Sequence, residues 1–564
     1  MKSDLDISLS VHPKPITEIA TEFGLEPGEF DAYGSTRGKI RLEALERLES
    51  KPRGRYICIT GMTPTPLGEG KTVQTIGVSL GLHRLGHRVA TCIRVPAMGP
   101  IFGVKGGAAG GGWSQVVPME DFNLGNVGDL HAVADAHNLL AAFVDNSIVK
   151  GNPLGIDPNR VSWRRSIDMN DRMLRNIVVG LGKAADGIPR QTGFDNTAAS
   201  EIMAILGLST GYRDMRERLG RIEVGETYDR KPVTAEDVEA AGAMAVLLRD
   251  ALRPNLMQTI EHTPCLAHTG PFANIAHGNS SILADRVALR CADYCVTEAG
   301  FGADMGAEKF FDIKCRASGL RPDAVGMVVT LRAIKMHGAD VRIKAGQKLP
   351  PSLVEPNLEA LDRGLENVAK HIENVNSFGV PLVVLVNRFP TDTDAELEHV
   401  AKAAKELGAF DASISEAFGR GGEGAKDAAE ALVRACDSGQ DFKFLYPDEA
   451  SIEEKIEALA TKIYGADGVD YGPGVKPKIR RFTERGYDKF PICMAKTQYS
   501  LSHDPNRKGR PAGYRFLVKD IRAAVGAGFV YPIAGEMNIM PGLPTRPAGV
   551  DMDIDDQGRV SGLF

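Results

Sequence analysis

This sequence is poor in the features that would send it into a membrane, into an oxidising compartment or onto nucleic acid. No apolar run approaches the roughly 18 to 20 residues of a membrane span. The first residues, MKSDLDISLSVHPKP, carry acids and no apolar core, so no signal peptide is read and a cytoplasmic location is expected. The eight cysteines are scattered without a CxxC pair, which argues against structural zinc and against a disulfide framework and leaves buried thiols. Lys plus Arg is 67 against 73 Asp plus Glu; a net charge of −6 offers no basic footprint for nucleic acid or an anionic membrane. What remains is a chain of 564 residues, 43% hydrophobic and 25% charged, long enough for two to four soluble domains acting on small molecules.

The strongest local signal is Thr65-Pro66-Leu67-Gly68-Glu69-Gly70-Lys71-Thr72, between an apolar run Tyr56 to Gly61 and an apolar-periodic segment Val73 to Leu85. It reads as strand, phosphate-cradling loop and helix. Gly68 and Gly70 let the backbone approach an anion, Lys71 supplies a point charge, and Thr72 offers a hydroxyl suited to Mg2+. Thr65 stands where the usual P-loop spacing wants Gly, and the plainer alternative is a glycine-rich turn. A second buried strand, Arg88 to Ile93, ends at Arg94, where doubly wound sheets bind ligands; the guanidinium there either clamps an anion or makes a surface salt bridge.

Downstream, GPIFGVKGGAAGGGW holds Lys105, Gly106, Gly107 and Trp113. It is too apolar for a flexible linker and reads as a ligand loop. Asp129 and His131 in GDLHAV form a candidate polar pair, with His131 a catalytic candidate. Residues 152–182 read as a salt-bridged surface helix leading to a strand. GFDNTAASEIMAIL carries a helix start at Thr197. His262, His268 and His277 fall within sixteen residues at spacings of six and nine, which do not share a helical face and argue against a metal set. Glu298 and Asp304 follow a strand, in position to hold a Mg2+ of the P-loop in the manner of a Walker B carboxylate. Asn387 after a Val-rich strand fails the guanine-reading spacing. AFGRGGEGA, 417–425, reads as a glycine-rich turn before a helix. The reading is an α/β protein: a P-loop NTPase-like parallel-sheet domain, 1–355, with two smaller α/β domains, 356–465 and 466–564.

Ten segments in order resemble the formate–tetrahydrofolate ligase (formyltetrahydrofolate synthetase) family over essentially the whole length. Among them are TPTPLGEGKT, GVKGGAAGGGW, DMNDRMLRNIVVGLG, GPFANIAHG, TEAGFGADMGAEKFFDIKCR, VVTLRAIKMHG, RGGEGA and MAKTQYSLS. The resemblance implies ATP-dependent joining of formate to tetrahydrofolate through formyl phosphate, with Mg2+, a monovalent activating cation (K+ or NH4+) and a homotetramer. It implies that residues 65–72 hold ATP, that Arg94 holds formate and formyl phosphate, and that Phe389 and Phe418 flank the pterin. Four positions depart from the family pattern. Val95 replaces Glu, Trp113 replaces Tyr, Phe418 replaces Trp, and Ala339 follows Gly338 where a second Gly is usual; altered folate affinity is expected. Two other classes stay open on sequence alone: a P-loop ATPase that drives partner association, and a folate-binding regulator without chemistry.

Overall fold

The protein's computed structural model describes residues 3–66, 68–339, 341, 349–537 and 539–563; Leu67 of the glycine loop lies outside the described residues. Its centre is a twelve-stranded sheet. In chain order its main strands are β1 (Phe30–Tyr33), β2 (Arg37–Ile40), β3 (Arg55–Gly61), β4 (Val89–Ile93), β5 (Asn255–Thr259), β6 (Pro264–Ala267), β7 (Tyr294–Glu298), β8 (Ala324–Val329), β9 (Leu382–Asn387) and β10 (Asp411–Ser415). Across the sheet they run β1-β2-β5-β6-β4-β7-β3-β8-β9-β10. From β6 to β10 every pair is parallel, while β1, β2 and β5 close the other edge antiparallel.

The central strands are apolar at nearly every position because both of their faces are buried. Tyr56 and Cys58 of β3 point into one core and Ile57 and Ile59 into the other. The same period-2 division sorts Val325, Met327 and Val329 of β8 from Ala324 and Val328. All eight cysteines are buried free thiols in these layers. No helix among the described residues is long and apolar enough to cross a membrane.

Six helices position the loops around the carboxyl edge of the sheet: α1 (Lys71–Arg84), α2 (Asp129–Val149), α3 (Leu331–Gly338), α4 (Leu358–Asn376), α5 (Ala417–Gly424) and α6 (Lys426–Asp437). At 417–425 the expected turn lies within α5: Gly421, at φ 55° and ψ −138°, kinks it into two short helical pieces. Four glycines in eight residues cost helix stability, but here they admit close packing against α1. A Cβ on Gly77 of α1 would stand 2.4 Å from that of Ala417, and one on Gly422 would stand 2.8 Å from the Leu80 backbone.

Residues 152–182 also differ from expectation. They form short strands, Ile156–Val161, Arg165–Ile167 and Ile177–Val179, with one helical turn at Arg172–Arg175. The Arg and Asp residues that suggested a helix face pair mostly across segments: Arg165 with Asp145 at 2.8 Å and Arg164 with Asp195 at 2.9 Å. Ile40 ends β2, and a short helix, Ala44–Leu48, follows it. Strands β9 and β10 extend the same sheet as β3, and the described residues beyond 466 form small sheets, an α-helix, Val475–Glu484, and short 3-10 turns.

Candidate active site

The sheet order decides which side chains meet. Strand β7 lies between β3 and β4, so the ends of all three open on one crevice at the carboxyl edge. The glycine loop follows β3, Arg94 follows β4, and Glu298 is the last residue of β7. Helix α1 starts at Lys71 behind Gly70, which takes φ 75° as its left-handed cap. The Thr72 hydroxyl donates to Glu298 Oε2 at 2.8 Å, and Arg94 sets two guanidinium nitrogens 3.4 Å from Glu298 Oε1. The Arg94 fork lies over Gly300, where a Cβ would come within 3.1 Å of it.

Glu69 fills the interior of the loop. Its Oε1 accepts from the Thr65 backbone N–H at 2.6 Å and from the Thr65 hydroxyl at 3.1 Å, while Oε2 lies 3.6 Å from Lys71 Nζ. Lys105 joins from the glycine-rich loop. Its ammonium is pushed down to about 8, first by the protein packed around it and then by the Arg94 and Lys71 cations, against the pull of Glu298. Its side chain is open to water at the mouth of the loop. Three cations, Lys71, Arg94 and Lys105, thus face two carboxylates, Glu69 and Glu298. The excess of one positive charge favours an anion, and the N-terminus of α1 adds a partial charge of the same sign.

Strands β9 and β10 are paired in register at Asn387 and Ser415, so Phe389 and Phe418 leave the carboxyl ends of adjacent strands. Phe389 is half-buried under the Arg332 guanidinium, 4.1 Å from ring centre to Cζ. Phe418 is 41% exposed and leans on the glycine-rich loop: its carbonyl accepts from Trp113 N–H at 2.8 Å. Gly112, at φ 56°, passes so close that a Cβ would meet the Phe418 carbonyl oxygen at 2.0 Å. That approach accounts for the glycines of this loop, and Trp113 itself stands 43% exposed beside them. Gly106, also in the left-handed half of the map at φ 75°, and Gly107 carry the turn after Lys105.

Other candidates are engaged elsewhere. The ring of His131 lies against Gly125 and Gly128, and its charge acts on Asp168; among the described residues it makes no hydrogen bond to Lys71, Arg94 or Glu298. Asp129 is buried and bound by the Lys39 ammonium at 2.7 Å. Asp304 turns from the loop after Glu298 to the buried Lys496 at 2.7 Å. His268 spends both ring nitrogens on Ser281 and on the Ala251 carbonyl, at 2.6 and 2.8 Å, and His262 meets Gln258 at 2.8 Å. Val95 is buried in the core, its N–H bonded to the Thr269 carbonyl at 2.7 Å.

Asn387, which fails the guanine-reading spacing, has a different role from the one weighed for it. Its Nδ2 donates to the Glu69 carbonyl at 3.0 Å and its Oδ1 accepts from Gln74 at 2.9 Å, which ties the end of β9 to the loop and to α1. The available signal was a polar residue closing an all-apolar strand.

The chain matches the family model described as formate–tetrahydrofolate ligase over residues 2–564. Curated proteins with that name from Desulforamulus reducens, Saccharopolyspora erythraea and Roseiflexus castenholzii are 56%, 54% and 54% identical to it, with all of this chain covered and 99%, 99% and 100% of theirs. A match from end to end at more than half identity leaves one conclusion: the chain belongs to the formate–tetrahydrofolate ligase family.

Proposed function

We propose that this ligase uses residues 65–72 as a P-loop for ATP and joins formate to tetrahydrofolate in two steps at the crevice where β3, β4 and β7 end. The observation that carries this reading is the convergence of Lys71, Arg94 and Lys105 around the Thr72–Glu298 pair. Formate is a poor electrophile. In the first step one carboxylate oxygen attacks the γ-phosphorus of ATP, ADP leaves, and formyl phosphate forms. Two anions must approach each other for this, and a helix terminus contributes only about 0.3 to 1 kcal/mol. Lys71 on the phosphates, the Arg94 fork on formate and Lys105 between them supply the rest as fixed donors. The Thr72 hydroxyl and the Glu298 carboxylate, 2.8 Å apart, are hard oxygen donors of the kind Mg2+ takes. Bound there, Mg2+ would neutralise charge on the transferring phosphoryl group.

In the second step the N10 amine attacks the formyl carbon, its proton is lost, and phosphate leaves with the oxygen that came from formate. Phe389 and the exposed Phe418 would flank the pterin, with Trp113 beside it. Residues 1–355, 356–465 and 466–564 are read as the nucleotide and formyl-phosphate unit, the folate unit and a C-terminal unit, the first two sharing one sheet. A cytoplasmic homotetramer activated by K+ or NH4+ is part of the same proposal. The test is isotopic. With formate labelled by 18O, each product phosphate is expected to carry one labelled oxygen; unlabelled phosphate would exclude the acyl phosphate step.

A further inference from the structure

The entry to the glycine loop is gripped by residues that never reach the crevice. Thr63, two residues after β3, is buried and uses every polar atom it has. Its hydroxyl accepts from Asn367 Nδ2 at 2.9 Å and lies 2.9 Å from His371 Nε2. Its N–H points to Asn367 Oδ1 at 3.4 Å. Its carbonyl accepts from His337 Nε2 at 3.1 Å. Asn367 and His371 sit one turn apart on α4, so both face the same spot, and His337 closes α3.

This node leads outward to a single loop of the C-terminal unit. The Gly509 N–H donates to His337 Nδ1 at 3.2 Å, which fixes the tautomer that gives Nε2 its proton for Thr63. The Gly509 carbonyl accepts from the same Asn367 Nδ2, at 2.8 Å. Burial holds both imidazoles near a pKa of about 4, so they stay neutral at physiological pH and the node does not switch with it. The loop bearing Gly509 is itself braced, since the Ser500 hydroxyl donates to the Arg507 carbonyl at 2.6 Å and Lys508 donates to the Tyr499 carbonyl at 3.0 Å. A second strut runs parallel to the first. Lys496, fully buried, pairs with Asp304 at 2.7 Å on the loop that follows Glu298. A Cβ on Gly302 of that loop would come within 3.0 Å of the Met62 carbonyl and 3.2 Å of the His371 ring. Both struts therefore end on the two sides of the same crevice.

We infer that Thr63, Asn367, His337 and Gly509 are positioning residues for the nucleotide loop, through which the C-terminal stretch 496–509 sets the geometry in which ATP is bound. The inference rests on the assignment of residues 65–72 to ATP. It gives a segment remote in sequence a part in a site built on β3. The contacts of Thr63 are buried, so their loss leaves a polar group without a partner or water.

The experiment measures ATP dissociation constants and the KM of each substrate for Thr63→Val, Thr63→Ser, Asn367→Asp, Gly509→Ala and Lys71→Ala in the full chain. Thr63→Val is expected to weaken ATP about tenfold or more, with the KM for formate and tetrahydrofolate within about twofold, and Thr63→Ser to restore ATP affinity to within about threefold. Gly509 is partly exposed at φ 66°, a conformation that strains any other residue, so Gly509→Ala tests the long-range link in a variant that keeps the core intact. It is expected to raise the ATP constant several-fold. Combining Thr63→Val with Asn367→Asp should cost less than the sum of the two. Thr63→Val and Gly509→Ala variants that lose only thermal stability, with ATP affinity unchanged, would overturn the inference. So would an equal loss for all three substrates. An unaffected ATP constant in Lys71→Ala would instead sink the P-loop assignment itself.

Discussion

Asn387→Ala is the perturbation whose cost can be worked most directly from the site. Asn387 is 3% exposed and its two partners, the Glu69 carbonyl and the Gln74 amide, are equally buried, so water cannot take its place. The substitution removes hydrogen bonds of 3.0 and 2.9 Å. Each contributes about 0.5 to 1.5 kcal/mol net, and each orphaned partner costs about 1 to 3 kcal/mol unless it moves. Glu69 belongs to a loop that can shift, whereas Gln74 is held within α1. Allowing the loop to relax leaves roughly 2 to 3 kcal/mol, a factor of about 30 to 150 in any equilibrium that needs the loop in place. The expectation is that this factor falls on ATP affinity, because the loop conformation competent for binding is depopulated. Isothermal titration with ATP reads it directly, and a thermal melt reads what remains as global stability. An ATP constant within about twofold of the parent, with the whole loss in melting temperature, would refute the role of Asn387 as a latch on the loop.

Three further outcomes are expected from the same geometry. Glu298→Gln keeps an acceptor for Thr72 but removes the charge facing Arg94, and is expected to lower kcat about 10- to 100-fold and to raise the Mg2+ concentration for half-activation; an unchanged Mg2+ titration would detach Glu298 from the metal. The pKa of Lys105 is lowered to about 8, so its cation is present below that pH and lost above it. The kcat/KM for formate should therefore decline through pH 8, and Lys105→Arg should remove that decline; superimposable profiles would contradict the assignment. Phe418→Ala is expected to raise the KM for tetrahydrofolate about tenfold with the ATP KM little changed, and Phe418→Trp to lower it below the parent value; a change confined to ATP would reverse the pterin assignment.

Much of the sheet could be read in advance because buried parallel strands have a direct signature. Tyr56 to Gly61, Arg88 to Ile93 and Pro381 to Val386 are apolar without alternation, and each lies within a residue or two of the strand found. The glycine loop was legible for the same kind of reason, since a strand, a left-handed glycine and a lysine at a helix start are local features. The pairing of Thr72 with Glu298 is legible too, since a carboxylate closing a strand suits the Mg2+ of a P-loop, although 226 residues separate the two. What is not legible is the strand order that brings them together, with β7 inserted between β3 and β4. No local pattern announces that order. In α5 the glycine-rich turn is legible at Gly421, whereas the short helical pieces on either side are not, since propensity counts their glycines as a cost and the compensation comes from Gly77 and Leu80 on another helix. Residues 152–182 misled in the opposite sense: alternating Arg and Asp looked like pairs on one helix, yet Arg164 and Arg165 reach Asp195 and Asp145 on other segments. His131 rests on its neighbourhood in sequence alone, and its ring lies against Gly125 and Gly128 at the start of α2.

The central claim is that phosphoryl transfer at this crevice is coupled to formate and completed on tetrahydrofolate. It is tested by measuring ADP formation from ATP with formate alone, tetrahydrofolate alone, both or neither. The account predicts sustained ADP formation only when both are present, matched one to one by 10-formyltetrahydrofolate and abolished in Lys71→Ala. ADP release at the same rate in all four conditions would contradict it.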